Sequence, residues 1–280
     1  MKIDRDKVEK EFKKYTGNYD ISDEKIKLKV DHTYRVAALS ERIARSLGLD
    51  DEDTNLAWLI GMLHDIGRFE QLKKFGTFSD ADSIDHAHFG VELLFDEGLI
   101  EKFADDENKY ECEADSSSVI KTKNREEAGS RLSELDILKT AIWNHSAYRI
   151  EEGLSDRVLM FCNIIRDADK IDILKVNYDV TLEVIYDVTT EELKNSRVTD
   201  EVMRAFMEHH AVLRKLKKTP IDHLVGHAAL VFELVYDESF NIVKEQGYLE
   251  KMLSYKSDNP ETVRQFQILK ADMAEFMGEY

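Results

Sequence analysis

Apolar residues recur along most of this chain at intervals of three and four, the spacing that lines one face of an α-helix. No stretch of any length keeps the strict alternation of a half-buried strand. The pattern predicts an all-α fold. Residues 4–15 read as a short charged helix ending near Gly17, and a long helix follows over 23–47 with Ser22 as its N-cap and Gly48 just past its end. One row on the long helix is Ile26, Val30, Ala37, Ala44 and Leu47; beside it runs Leu28, His32, Val36, Leu39 and Ile43. His32 therefore points with apolar neighbours, away from the face of Lys27, Asp31, Glu41 and Arg45. A third helix starts after Asp50 or Asp51 and runs through Leu56, Leu59, Ile60 and Leu63. His64 continues the face of Ile60 and Ala57, and Asp65 follows it directly.

Gly67 either ends that helix or lets another backbone pass close by. Residues 69–84 are mixed and predict a loop with a short helix. Asp85 is placed to cap a helix from His86 to about Glu97, closed by Gly98. Residues 105–131 are polar and predict a surface insertion. Helical spacing returns over 132–148, where Leu138, Ala141, Ile142 and His145 share a stripe. It continues over 156–176, where Val158, Cys162, Ile165 and Asp169 form a row and Asp167 lies elsewhere, near Met160 and Ile164. Further helices are predicted over Thr199–Lys217, Ile221–Asp237 and Glu261–Met277, with Thr219, Pro220 and Asp222 forming a strong start signal. This divides the chain into an N-terminal segment (1–22), a core (23–176) and a C-terminal helical extension (177–280).

Composition narrows the partners. The 280 residues carry a formal net charge of −18, which argues against a nucleic-acid polymer or an anionic membrane surface. A small phosphorylated substrate needs only a local positive site and stays compatible with that charge. Cys112 and Cys162 make no disulfide framework, and Cys162 falls in an apolar stretch. No leader signal opens the chain and no apolar run is long enough to span a bilayer, so a soluble cytoplasmic protein is expected. A homodimer stays open.

Helix phase turns His32, His64, Asp65, His145 and Asp169 toward the core, and His86 joins them at a helix start. One inward histidine is more often a hydrogen-bonded core residue than a ligand. Several in one bundle are costly to bury unless they are paired or hold metal, and helical bundles commonly build metal sites from facing helices. His223 and His227 are four apart on a helix but have no acidic or cysteine partner in the local pattern, so they read as structural or surface residues. His210 joins the row of Val202, Phe206 and Leu213 and reads as core packing.

Five segments in order resemble the HD-domain metal-dependent phosphohydrolase superfamily: "DHTYRVAALSERIARSLGL", "LIGMLHDIGR", "HAHFGVELL", "AIWNHSAYR" and "IIRDADKIDIL". The third resembles an H-x-x-x-G motif and so selects His86 over His88; the fifth selects Asp169, as helix phase does. The resemblance covers about residues 28–176. It implies a helical bundle in which His32, His64, Asp65 and Asp169 hold one divalent ion and Asp65 bridges to a second, held by His86 and His145. It also implies hydrolysis of a phosphate ester, in a nucleotide or other small phosphorylated metabolite, by a metal-activated hydroxide. The ligand types suit Mn, Fe, Ni or Zn, and suit Mg less by itself. Arg68, directly after the doublet, and Lys170, directly after Asp169, are the expected phosphate contacts. Arg35 and Arg149 are weaker ones, Asn144, Ser146 and Tyr148 flank His145, and His88 is either a supporting residue, a general acid or a solvent-facing side chain. The Gly-Tyr-Pro element of the HD-GYP branch has no counterpart in "NHSAYRIEEGLSD". Two alternatives stand beside the hydrolase: di-iron oxygenation on a related HD-type fold, as in inositol oxygenase, and a non-catalytic signalling or ligand-binding module.

Overall fold

The computed structural model describes residues 1–104, 133–179 and 188–278, and the expected insertion at 105–131 lies outside them. Among the described residues every regular element is helical, as the apolar spacing predicts. The chain forms two compact units, Met1–Ala168 and Asp169–Tyr280.

In the first unit α1 is Arg5–Thr16, α2 Glu24–Ser46, α3 Asp51–Leu63, α4 Ile66–Phe75, α5 His86–Val91 and α6 Glu134–Asn144. The last helix, α7 (Asp156–Asp179), starts in this unit and runs unbroken past its boundary. The cap of α2 differs from expectation. Asp23, not Ser22, accepts the Lys25 N–H, because Ser22 is engaged in a turn by the Asp20 carboxylate. A carboxylate at a helix N-terminus also gains from the helix dipole. The stretch from residue 69, expected as a loop with a short helix, has both: α4 carries its first part to Phe75, and Gly76 to Asp85 is irregular, with one tight turn at Asp80–Asp82. After α5 a single wide turn over Glu92–Asp96 carries the chain to Gly98.

Two close approaches set the geometry. A Cβ on Gly61 would lie 2.6 Å from the Ala37 Cα, so α2 and α3 cross almost backbone to backbone. A Cβ on Gly67 would lie 2.4 Å from the His86 carbonyl oxygen and 2.8 Å from the Gly90 nitrogen. Gly67 therefore sits inside the first turn of α4 and lets the start of α5 touch it, rather than ending a helix. The N-terminal segment is part of this packing. Val8 and Phe12 are buried, Tyr15 donates from its hydroxyl to the Ile66 carbonyl, and Tyr19 donates to Glu70. Cys162 is a fully buried core residue.

In the second unit α8 is Thr190–Asn195, α9 Asp200–Met207, α10 Pro220–Ala228, α11 Asp237–Gln246, α12 Tyr248–Leu253 and α13 Pro260–Gly278. The buried Asp222 carboxylate accepts from the backbone N–H groups of Thr199, Lys218 and Thr219, which ties the starts of α9 and α10 together. The helix expected over Thr199–Lys217 stops at Met207. His209 takes a left-handed backbone (φ 55°), stacks on Phe232 and pairs with Asp272. His210 consequently leaves the core row and lies half exposed beside Glu208, although Val202 and Phe206 are buried as expected. The helix expected to reach Asp237 ends at Ala228, followed by one tight turn. His227 is held by the Asn177 side chain at 2.8 Å, a structural contact of the kind the local pattern suggested.

Candidate metal centre

Five of the six expected ligands belong to the first unit and lie together in its interior. His32 comes from the middle of α2, His64 and Asp65 from the junction of α3 and α4, His86 from the first turn of α5, and His145 from the end of α6. All five are at most 4% exposed. Asp169, the sixth, is the first residue of the second unit, part-buried on the unbroken α7, and Lys170 follows it on the same helix.

Asp65 is the hub. Its Oδ2 lies 3.5 Å from His32 Nε2 and 3.6 Å from His64 Nε2. Its Oδ1 lies 3.3 Å from His86 Nε2 and 3.7 Å from His145 Nε2. Each carboxylate oxygen thus faces its own pair of imidazoles. The ligand atoms of His64, Asp65 and His145 all fall within 4.8 Å of one another. Burial pushes the Asp65 carboxyl up, but Lys29, His64, His145 and Arg68 outweigh it and hold the group well below its ordinary value. It is an anion at neutral pH.

The other ring nitrogen of three histidines is fixed. His64 Nδ1 meets the Gly61 carbonyl at 2.8 Å, His145 Nδ1 the Ile142 carbonyl at 2.7 Å, and His86 Nδ1 the Asp80 carboxylate at 2.8 Å. These partners only accept, so Nδ1 carries the hydrogen in each ring and a neutral ring presents a bare lone pair at Nε2. His86 and His145 nevertheless face each other Nε2 to Nε2 at 3.0 Å. Two lone pairs do not sit at that distance without a proton or a cation to share. Burial above all, then the Arg68 charge, lowers the basicity of His86 to about 4, which disfavours the proton at neutral pH. A divalent cation fits this donor set. Histidine rings locked at one nitrogen by a carbonyl or carboxylate, with the other converging on a shared carboxylate, are the usual surroundings of such an ion.

Several contributors carried no signal in sequence spacing. Asp80, in the irregular segment, orients His86 and is itself held by Arg68 Nη1 (2.7 Å) and Gln71 Nε2 (2.9 Å). Burial raises the Asp80 carboxyl, but contact with His86 and the Arg68 charge bring it well below the usual carboxylate value. Arg166 is buried and donates from Nη1 to the carbonyls of Asn144, His145 and Ala147, which closes the end of α6 just where His145 leaves it. Lys29 donates to Asp65 Oδ2 at 2.7 Å. Arg68 is 14% exposed, and its Nη1 is taken by Gln71, the Phe78 carbonyl and Asp80. His88 stacks on Trp143 with ring centroids 3.6 Å apart. Asn144 bonds to the Thr140 carbonyl and the Glu151 N–H, whereas Ser146, Tyr148 and Arg149 are exposed.

Against this geometry the sequence matches the family model described as HD domain over residues 30–174, more than half of the chain. The chain belongs to the HD-domain family. Its members form a superfamily of metal-dependent phosphohydrolases, and HD domains are all-helical and bind divalent metals. No curated protein and no solved structure matches the chain. No helix among the described residues is long and apolar enough to cross a membrane.

Proposed function

We propose that this HD-domain protein is a phosphohydrolase that holds two divalent ions and cleaves a phosphate ester in a nucleotide or another small phosphorylated metabolite. The observation that carries the reading is Asp65, whose two oxygens each face a different imidazole pair. In this reading His32, His64, Asp65 and Asp169 hold one ion, and Asp65, His86 and His145 hold the other. The place of Asp169 rests on its helix phase and on the family pattern. Mn, Fe, Ni or Zn suits an imidazole-rich set better than Mg by itself. Two such ions side by side lower the pKa of water and offset charge on phosphoryl oxygens. The chain's own work is positional. Asp80 and the Gly61 and Ile142 carbonyls aim His86, His64 and His145, and Arg166 holds the backbone that carries His145. Arg68 steadies Asp80. Lys170, beside Asp169, is assigned to the substrate side.

The test is metal analysis of the purified protein followed by a metal-reconstituted screen over mononucleotides, cyclic nucleotides and aryl phosphates. The reading expects about two ions per chain by the two-metal scheme and release of phosphate or an alcohol product. Full metal occupancy without turnover on any phosphoester would overturn it. So would aerobic oxygen uptake with no phosphate released, which is the signature of oxygenase chemistry.

A further inference from the structure

Lys29 lies on α2, one turn before His32, and its ammonium sits at 2.7 Å from Asp65 Oδ2, nearer than any of the four imidazoles. Its side chain is 19% exposed against 3% for Asp65, so Lys29 reaches nearer to solvent than the carboxylate it holds. The Phe78 ring stands 5.6 Å from Nζ. Arg68 is also near Asp65, with Nε at 3.6 Å, but its Nη1 is committed to three protein acceptors. A lysine has a long flexible stem and a compact charge with three donors, so it can exchange one anionic partner for another at little geometric cost.

We propose that Lys29 is a phosphate-binding cation of this site and couples phosphate binding to metal binding. The inference rests on the two-ion reading above. A cation that takes Asp65 as ligand competes with the Lys29 ammonium for the same carboxylate oxygen. Once the carboxylate is shared with the metal, the ammonium needs another anion, and a phosphate held at the metals supplies it. Metal therefore strengthens phosphate binding, and by linkage phosphate strengthens metal binding. This predicts opposite signs for one substitution. Lys29→Met keeps the apolar stem but removes the competitor for Asp65 and the partner for phosphate, so metal binds more tightly and phosphate more weakly. A lysine that only props the fold would weaken both.

The experiment uses the full chain. Calorimetric titration with Mn²⁺ is followed by titration of the Mn²⁺-loaded protein with inorganic phosphate, for wild type, Lys29→Met and Lys29→Arg. Lys29→Met is expected to bind Mn²⁺ more tightly and phosphate roughly 5- to 150-fold more weakly, the usual span of a coupling between two sites. Lys29→Arg is expected to restore most of the phosphate affinity. Unchanged phosphate affinity in Lys29→Met overturns the inference, as does a parallel loss of both affinities or loss of the helical circular-dichroism signal. Failure of wild type to take up Mn²⁺ removes the two-ion reading and this inference with it. Normal Mn²⁺ uptake with phosphate binding indifferent to Lys29 removes this inference only.

Discussion

Gly67→Ala is the sharpest perturbation of the centre, because it adds one methyl group outside the ligand set. The new Cβ would stand 2.4 Å from the His86 carbonyl oxygen and 2.8 Å from the Gly90 nitrogen, both backbone atoms. Ordinary contact begins near 3.4 Å, so α4 and α5 must separate by 3.4 − 2.4, or 1.0 Å. Metal–ligand distances tolerate only about 0.2 Å. His86 rides on the displaced first turn of α5, whereas His32 and His64 sit on α2 and α3. The substitution should therefore strip the ion assigned to His86 and His145 and spare the other. Overpacking of this kind costs about 1–3 kcal/mol, and the gain of up to about 1 kcal/mol for alanine over glycine in a helix offsets only part of it. At this chain length each kcal/mol moves the melting temperature by roughly 2–4 °C. Elemental analysis after Mn²⁺ loading and dialysis reads the stoichiometry, and a thermal melt with chelator reads the stability. Two ions retained at wild-type affinity would refute the reasoning, because the close approach would then not set the position of His86.

Other consequences can be checked with the same material. Asp65→Ala should remove bound metal and phosphoester hydrolysis together; a variant with full metal content would rule out a bridging carboxylate. Asp80→Ala leaves the His86 Nδ1–H without its acceptor and should weaken binding of the second ion by about 10- to 100-fold, measured by Mn²⁺ calorimetry, with binding of the first ion unchanged. Arg166→Met strands the carbonyls at the end of α6 and should cost on the order of 2–4 kcal/mol in a urea melt; a cost below half a kcal/mol would dismiss the capping role. The pH dependence has a definite sign. His86 has a folded pKa of about 4, below the ordinary 6.5, so the stability linked to its neutral form is complete above 6.5 and is lost as pH falls from 6.5 toward 4. That shift is worth on the order of 3 kcal/mol. In chelator, urea midpoints should drop between pH 7 and 4.5, and His86→Gln should flatten the drop; parallel curves for the two proteins would contradict it.

Local sequence determined the direction in which helical side chains point near the site. Helix phase depends on a residue and its neighbours three and four away, so the inward direction of His32, His64 and His145 was legible, and Asp85 with Gly98 bounded the segment that starts at His86. The ordered HD motifs identified the family that the family model also matches. Pairings across the fold were not legible, because they depend on where helices cross. Lys29 meets Asp65 across 36 residues, Arg166 reaches the end of α6 from α7, and Asp80 finds His86 from a segment without periodicity. Arg68 is the clearest case. Sequence placed it beside the doublet, while its contacts at Nη1 with Gln71, the Phe78 carbonyl and Asp80 depend on tertiary packing. The break after Met207 has the same origin. The stretch has no glycine or proline to announce it, and the contacts of His209 with Phe232 and Asp272 impose it. Periodicity thus turned His32, His64 and His145 inward. Only the close approach of Gly67 to α5 and the crossing of α2 with α3 decided that four imidazoles meet around the one carboxylate of Asp65.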